Sequence, residues 1–309
     1  MGFGLMSRKA FIFPGQGSQY VGMASDLFEN SVEAKEMIKT ADDALGINLS
    51  YILFNGTEEQ LKQSEFTQPA IFLHSVVLAS IIRTLNADAV TGHSVGEYSA
   101  LVAAGAIQFY EAVKLVHERG IAMTQAGIKQ PGTMAAVVGL DENSVVDCCR
   151  EASSAGIVQC ANFNSPGQIV ISGDVNGVRK AMELCKSKGA KLVKELQVSG
   201  AFHSPLMNSA KERLKTALDG AHFYDARIPV YANVTAKPMN NKDEIKNLLY
   251  EQLTAPVLWV EIINNMIEDG IEEFYEIGPG KVLQGLVKRI NPDVKIFGID
   301  KYTDVERYL

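Results

Sequence analysis

Two rhythms of apolar and polar positions run along this chain. Ala10-Phe11-Ile12-Phe13 is an unbroken apolar run that stops at Pro14-Gly15-Gln16-Gly17-Ser18, a turn-forming cluster, and it predicts a strand buried on both faces. Helical spacing follows over residues 32–45. It returns through Ile71, Leu73, Val77, Leu78 and Ile81, with Pro69 placed to open that helix. Ala89-Val90-Thr91 predicts a second strand, Tyr98 to Ala104 a helix behind it, and residues 111–126 a further helix. Strand and helix alternate, so this part predicts an α/β fold with a mainly parallel sheet. The middle of the chain reads differently. Strands are expected at 134–138, 158–161, 168–172 and 191–198, and helices at 142–155 and 175–188, with Asn164-Ser165-Pro166-Gly167 turning the central pair. That β-α-β-β-α-β order is ferredoxin-like. The expected organisation is a hydrolase-like body of residues 8–131 and 199–309, carrying an inserted ferredoxin-like unit at 132–198.

Composition narrows the function. The chain has 309 residues, 47% of them hydrophobic, enough for one large core or two smaller ones. A net charge of −7 argues against nucleic acid as partner. No apolar run approaches the ~18 residues of a membrane span. Residues 1–7 lack the charged and apolar regions of a signal peptide and read as an extension, with Met6 as the natural start. The four cysteines, Cys148, Cys149, Cys160 and Cys185, form no Cys-x-x-Cys pair and have no histidine cluster nearby, so no metal site is expected. Few cysteines in a long chain suit a reducing cytoplasm, the expected location. Without a Walker or Gly-x-Gly-x-x-Gly pattern, no bound nucleotide cofactor is expected.

The chemistry is concentrated at Gly92-His93-Ser94-Val95-Gly96-Glu97, which has the Gly-x-Ser-x-Gly form of a nucleophile elbow in the required strand–turn–helix context. Ser94 is the expected nucleophile, close to a helix N-terminus that favours developing negative charge. Of the five histidines, His74 and His117 lie inside expected helices and His222 in a turn. His93 neighbours Ser94, and strand alternation would point it to the opposite face, behind the elbow. His203, in Gly200-Ala201-Phe202-His203-Ser204, lies in a loop between strand and helix and is the expected general base. No acidic third member is visible, so a main-chain carbonyl is expected to orient the imidazole.

Phe13-Pro14-Gly15-Gln16-Gly17-Ser18-Gln19, the elbow, Gly200-Ala201-Phe202-His203-Ser204 and Glu276-Ile277-Gly278-Pro279-Gly280-Lys281-Val282-Leu283 occur together and in that order. With these four motifs the chain closely resembles the malonyl-CoA:acyl carrier protein transacylases of bacterial fatty acid synthesis, relatives of polyketide synthase acyltransferase domains. The resemblance spans about residues 9–300. It implies a ping-pong reaction in which Ser94 takes malonyl from coenzyme A and passes it to the phosphopantetheine thiol of acyl carrier protein, with no bound cofactor. It implies an oxyanion hole from the backbone N–H groups of Gln16 and Val95, an arginine for the malonyl carboxylate at Arg119, and a main-chain carbonyl at Gln252 that orients His203. It places Met123, Asn162 and Phe202 at the substrate. Phe202 and Val95 match malonyl-selective members, and a bulky Phe202 would crowd a branched extender.

The partners implied are malonyl-CoA and acyl carrier protein. Lys186, Lys188, Lys191 and Lys194, with Lys281, Lys288 and Arg289, are basic groups able to guide an acidic carrier. A monomer is expected. The alternative is a discrete acyltransferase serving a polyketide assembly line. A serine esterase would normally add an acidic triad member and needs no arginine. A scaffold without catalysis would not need Ser94, His203 and Arg119.

Overall fold

The computed structural model describes residues 7–309, so the expected start at Met6 and all of the expected extension but Ser7 lie outside the described residues. Among the described residues ten strands form two separate sheets. The larger holds β1 (Arg8–Phe13), β2 (Ala89–Gly92), β7 (Val230–Tyr231), β8 (Pro238–Met239), β9 (Ile271–Ile277) and β10 (Lys295–Ile299), in the order β10-β9-β1-β2-β7-β8. Every pairing from β10 to β7 is parallel, and only the edge strand β8 runs antiparallel. The central strand β1 is apolar from Ala10 to Phe13 because helices cover both faces of a parallel sheet.

The smaller sheet, order β4-β5-β3-β6, is wholly antiparallel. Its strands are β3 (Thr133–Val138), β4 (Val158–Ser165), β5 (Gln168–Gly173) and β6 (Leu192–Glu195). Helices Glu142–Ala152 and Val175–Ser187 pack on it over a core of their own that includes Ala135, Val145, Ile171 and Val178. The fold is therefore mixed α/β, a mainly parallel sheet beside a separate antiparallel β-α-β-β-α-β unit. β4 is stitched to the larger body. Val257 N donates to Ala161 O at 2.9 Å, and Phe163 N to Val257 O at 2.9 Å. This fixes the distance between the sheets and leaves a cleft between them.

Three local expectations need correction. The helix expected from Pro69 begins at Ser64 and runs Ser64–Ile81, with Pro69 inside it. The carbonyl of Gln63 already accepts from Phe66 N at 2.9 Å and Thr67 N at 2.8 Å, so the turn is set before the proline and only one later bond is lost. The strand expected at 191–198 ends at Glu195, and Leu196 and Val198 turn to line the cleft. Lys288 is spent locally, since Nζ donates to the carbonyls of Pro292 (3.0 Å) and Val294 (2.7 Å). Among the described residues no helix is long and apolar enough to cross a membrane.

Candidate active site

Parallel sheets present functional groups beyond the carboxyl ends of their strands, and the expected residues gather there. β1 leads to Gln16, β2 to Ser94 and β7 to Asn233. The elbow is sharp because two glycines allow it. A Cβ on Gly92 would stand 2.0 Å from Gly96 C, and one on Gly96 would stand 2.2 Å from Phe13 O. Ser94 itself sits in the left-handed region at φ 53, and the helix Gly96–Ala103 starts directly behind it. Asn233 clamps the turn. Its Oδ1 accepts from Ser94 N at 2.7 Å and its Nδ2 donates to Gly92 O at 2.7 Å.

Ser94 Oγ is 2.8 Å from His203 Nε2. The other ring nitrogen, Nδ1, lies 2.9 Å from the carbonyl of Gln252 and 3.1 Å from that of Ala255. Two carbonyl acceptors require Nδ1 to carry the hydrogen, which leaves the Nε2 lone pair facing the serine. Burial, and after it the Arg119 charge, holds the imidazole down to about 3, so the ring is neutral at physiological pH. His203 is also left-handed, at φ 57, and Gln159 Nε2 donates to its carbonyl at 2.8 Å.

Arg119 is completely buried on the helix Phe109–Lys129. Its Nη1 donates to Gln68 Oε1 at 2.6 Å, and its Nη2 to Gln252 Oε1 at 2.9 Å and Ser94 Oγ at 3.2 Å. It therefore lies within reach of the Ser94 hydroxyl. On sequence alone this position reads as a helix-surface charge; packing against the helix Ser64–Ile81 buries it.

A cavity of ≈ 270 Å³ opens over these groups, and its lining includes Gln16, Val95, Met123, Asn162, Phe202 and His203. Neither the Gln16 nor the Val95 amide has a hydrogen-bond acceptor among the described residues. Met123 Sδ accepts from Gln68 Nε2 at 3.1 Å, so it packs beside the arginine's partner. Gln252 and Arg119 stand behind the lining. The opposite wall comes from the smaller sheet, with Asn162, Gln168 and Val170.

His93 departs from expectation. It borders the same cavity, with Nε2 2.9 Å from Asn164 Oδ1 and the ring centroid 5.5 Å from that of Trp259. Strand alternation ends at Gly92 and the left-handed Ser94 breaks it, and both residues border the cavity. Sequence reasoning missed Gln68, Asn233 and Glu97 as parts of the site. For Gln68 and Glu97 the available signal was a polar side chain inside an apolar run, as in Thr67-Gln68-Pro69-Ala70-Ile71 and Val95-Gly96-Glu97-Tyr98.

The sequence profile of the acyl transferase domain matches residues 10–295. The chain belongs to the acyl transferase family. This acyltransferase is 44% identical over 304 residues to the malonyl CoA-acyl carrier protein transacylase of Bacillus subtilis, covering 97% of this chain and 96% of that protein. Among solved structures, the malonyl CoA-acyl carrier protein transacylase of Coxiella burnetii is 38% identical with a TM-score of 0.93, covering 97% of this acyltransferase and 96% of that chain. A malonyl-transacylase solved in complex with its type II PKS acyl-carrier protein is also 38% identical, with a TM-score of 0.94, covering 98% of this acyltransferase and 99% of that chain.

Proposed function

We propose that this acyltransferase moves malonyl from malonyl-CoA to the phosphopantetheine thiol of an acyl carrier protein, through a malonyl ester on Ser94, in support of fatty acid synthesis. The observation that carries the reading is the Ser94 Oγ–His203 Nε2 contact of 2.8 Å with the Arg119 guanidinium 3.2 Å from the same oxygen. A reacting hydroxyl, a neutral base and a fixed positive charge meet at one point, as a thioester bearing a free carboxylate requires.

In the first half-reaction the Ser94 proton passes to His203 Nε2 as Oγ bonds to the thioester carbonyl carbon. The C–S bond then breaks and the coenzyme A thiolate leaves, taking the proton from His203. The carrier thiol reverses these steps. The Gln16 and Val95 amides, lacking other acceptors, would stabilise the oxyanion. A guanidinium and a carboxylate match as a planar pair, which assigns Arg119 to the malonyl carboxylate. Met123, Asn162 and Phe202 shape the acyl cavity, and the Gln252 carbonyl orients the base. Both phosphopantetheine arms arrive on the substrates, so the chemistry calls on no resident cofactor. The whole reacting set comes from one chain, in keeping with a monomer. Residues 8–131 with 199–309 form the catalytic body and 132–198 the inserted wall; no strand is shared between their sheets.

The polyketide reading is the second, favoured by the likeness to a transacylase solved with a type II PKS acyl-carrier protein. Incubation with malonyl-CoA followed by intact-protein and peptide mass spectrometry tests the reaction. The malonyl mass should appear on the Ser94 peptide and vanish in Ser94→Ala. A malonylated peptide that excludes Ser94 would overturn the assignment. Transfer to carriers from the two pathways would separate the readings.

A further inference from the structure

One carboxyl group in the site is not used by the transfer reaction. Glu97 is 1% exposed and lies one helical turn beyond the nucleophile. Its Oε2 accepts from Gln252 Nε2 at 2.7 Å and from Asn233 N at 3.0 Å. Gln252 bridges onward, its Oε1 accepting from Arg119 Nη2 at 2.9 Å and its Nε2 reaching Ser94 O at 3.1 Å. We propose that Glu97 is a positioning residue for acyl specificity: by fixing which way the Gln252 amide faces, it holds the Arg119 guanidinium ready for a substrate carboxylate. The proposal rests on the reading of Arg119 as the partner of the malonyl carboxylate.

The hydrogen-bond inventory carries the argument. Oε2 only accepts, so it selects the NH₂ end of the Gln252 amide and turns the carbonyl end to Arg119. Reversing that amide would set donors against the guanidinium and two acceptors against each other at Glu97 Oε2, which would keep only its bond from Asn233 N. Charge supports the same arrangement. The hydrogen-bond acceptors around Arg119 are all neutral: Gln68, Gln252 and Ser94. The Tyr98 ring lies 5.6 Å from its Cζ. A direct carboxylate partner would have to be displaced by malonyl. An amide placed between leaves the guanidinium uncancelled, with Nε making no hydrogen bond. Burial pushes the Glu97 carboxyl up to about 7, against the opposing pull of its Gln252 and Asn233 hydrogen bonds and the Arg119 charge. Oε1 has no partner, so a proton there leaves both bonds to Oε2 intact.

The test uses the full chain and follows Ser94 acylation by intact-protein mass spectrometry with malonyl-CoA and acetyl-CoA in separate runs. In Glu97→Leu the acceptor that fixes Gln252 is gone. The malonyl-to-acetyl ratio of kcat/KM should fall about tenfold or more, through a raised KM for malonyl-CoA. Gln252→Met keeps the main-chain carbonyl for His203 and should lower the same ratio, which covers the case that Glu97→Leu fails to fold. In an Arg119→Ala background, Glu97→Leu should change the ratio by less than about twofold. Equal losses on both substrates in Glu97→Leu and Gln252→Met would overturn the proposal, as would an undiminished effect without Arg119. If Arg119→Ala alone leaves the ratio unchanged, the reading of Arg119 fails and takes the proposal with it. If Arg119→Ala collapses the ratio while Glu97→Leu and Gln252→Met preserve it, only the present proposal fails.

Discussion

A histidine that must accept a proton works only while neutral. Burial and the Arg119 charge both depress His203, to about 3. Protonation therefore requires a pH far below the usual value near 6.5, and acylation should show no acid limb there; kcat/KM for Ser94 acylation measured from pH 5 to 8 checks this. Arg119→Ala removes one of the depressing causes, so its acid limb should move up in pH, read with acetyl-CoA. The same variant should lose malonyl transfer relative to acetyl transfer, by about 3–5 kcal/mol if a buried pair is broken. An unchanged ratio would remove Arg119 from substrate recognition. Ser94 and His203 were legible because each lies in a local motif whose geometry is set by its neighbours. Asn233 was not, because its work is done on Ser94, 139 residues away in the chain. Nothing local distinguishes such a residue from an ordinary polar side chain at a strand end.

The elbow depends on backbone passing through space that a methyl group would fill. Gly96→Ala places a carbon 2.2 Å from Phe13 O and 2.8 Å from Pro14 O, so β1 and the Gln16 loop must shift away from Ser94. The expected cost is about 1–3 kcal/mol of stability, with a larger proportional loss of acylation because the Gln16 amide moves as well. Calorimetry and acylation kinetics on the same sample check both. Most elements were legible from periodicity, and the helix Val32–Leu45 has the bounds expected of it. The start of the helix Ser64–Ile81 was obscured because Pro69 is a familiar opening signal, while the true first turn, Ser64-Glu65-Phe66-Thr67, holds a single apolar residue and so shows no apolar stripe. His93 was misplaced for a related reason, since alternation applies only while the strand continues.

At the scale of the molecule, the site is a seam between two sheets. The sequence order β-α-β-β-α-β predicted the smaller sheet, but not that β4 would be tied to Val257 on the larger body; that pairing joins residues about a hundred positions apart and leaves no local trace. The exposed Lys188, Lys191 and Lys194 lie beside the smaller sheet, at the end of its last helix, in the turn that follows and on β6. Replacing all three by glutamate should weaken transfer to an acidic carrier protein, more so at low salt, while sparing acylation from malonyl-CoA. Separate assays of the two half-reactions decide it, and equal losses in both would reject a docking role.

Among the described residues, four that are not glycine have positive φ, and two of them are Ser94 and His203. A left-handed backbone costs a residue with a side chain roughly 1–2 kcal/mol. The proposed reacting pair is thus a standing liability to the fold, tolerated because it aims the hydroxyl and the ring at each other. Ser94→Gly, inert as an enzyme, should melt at or above the temperature of the active protein, and a clearly lower melting point would argue that the turn is unstrained. Selection for durability alone would drift this chain toward a sturdier protein that does nothing.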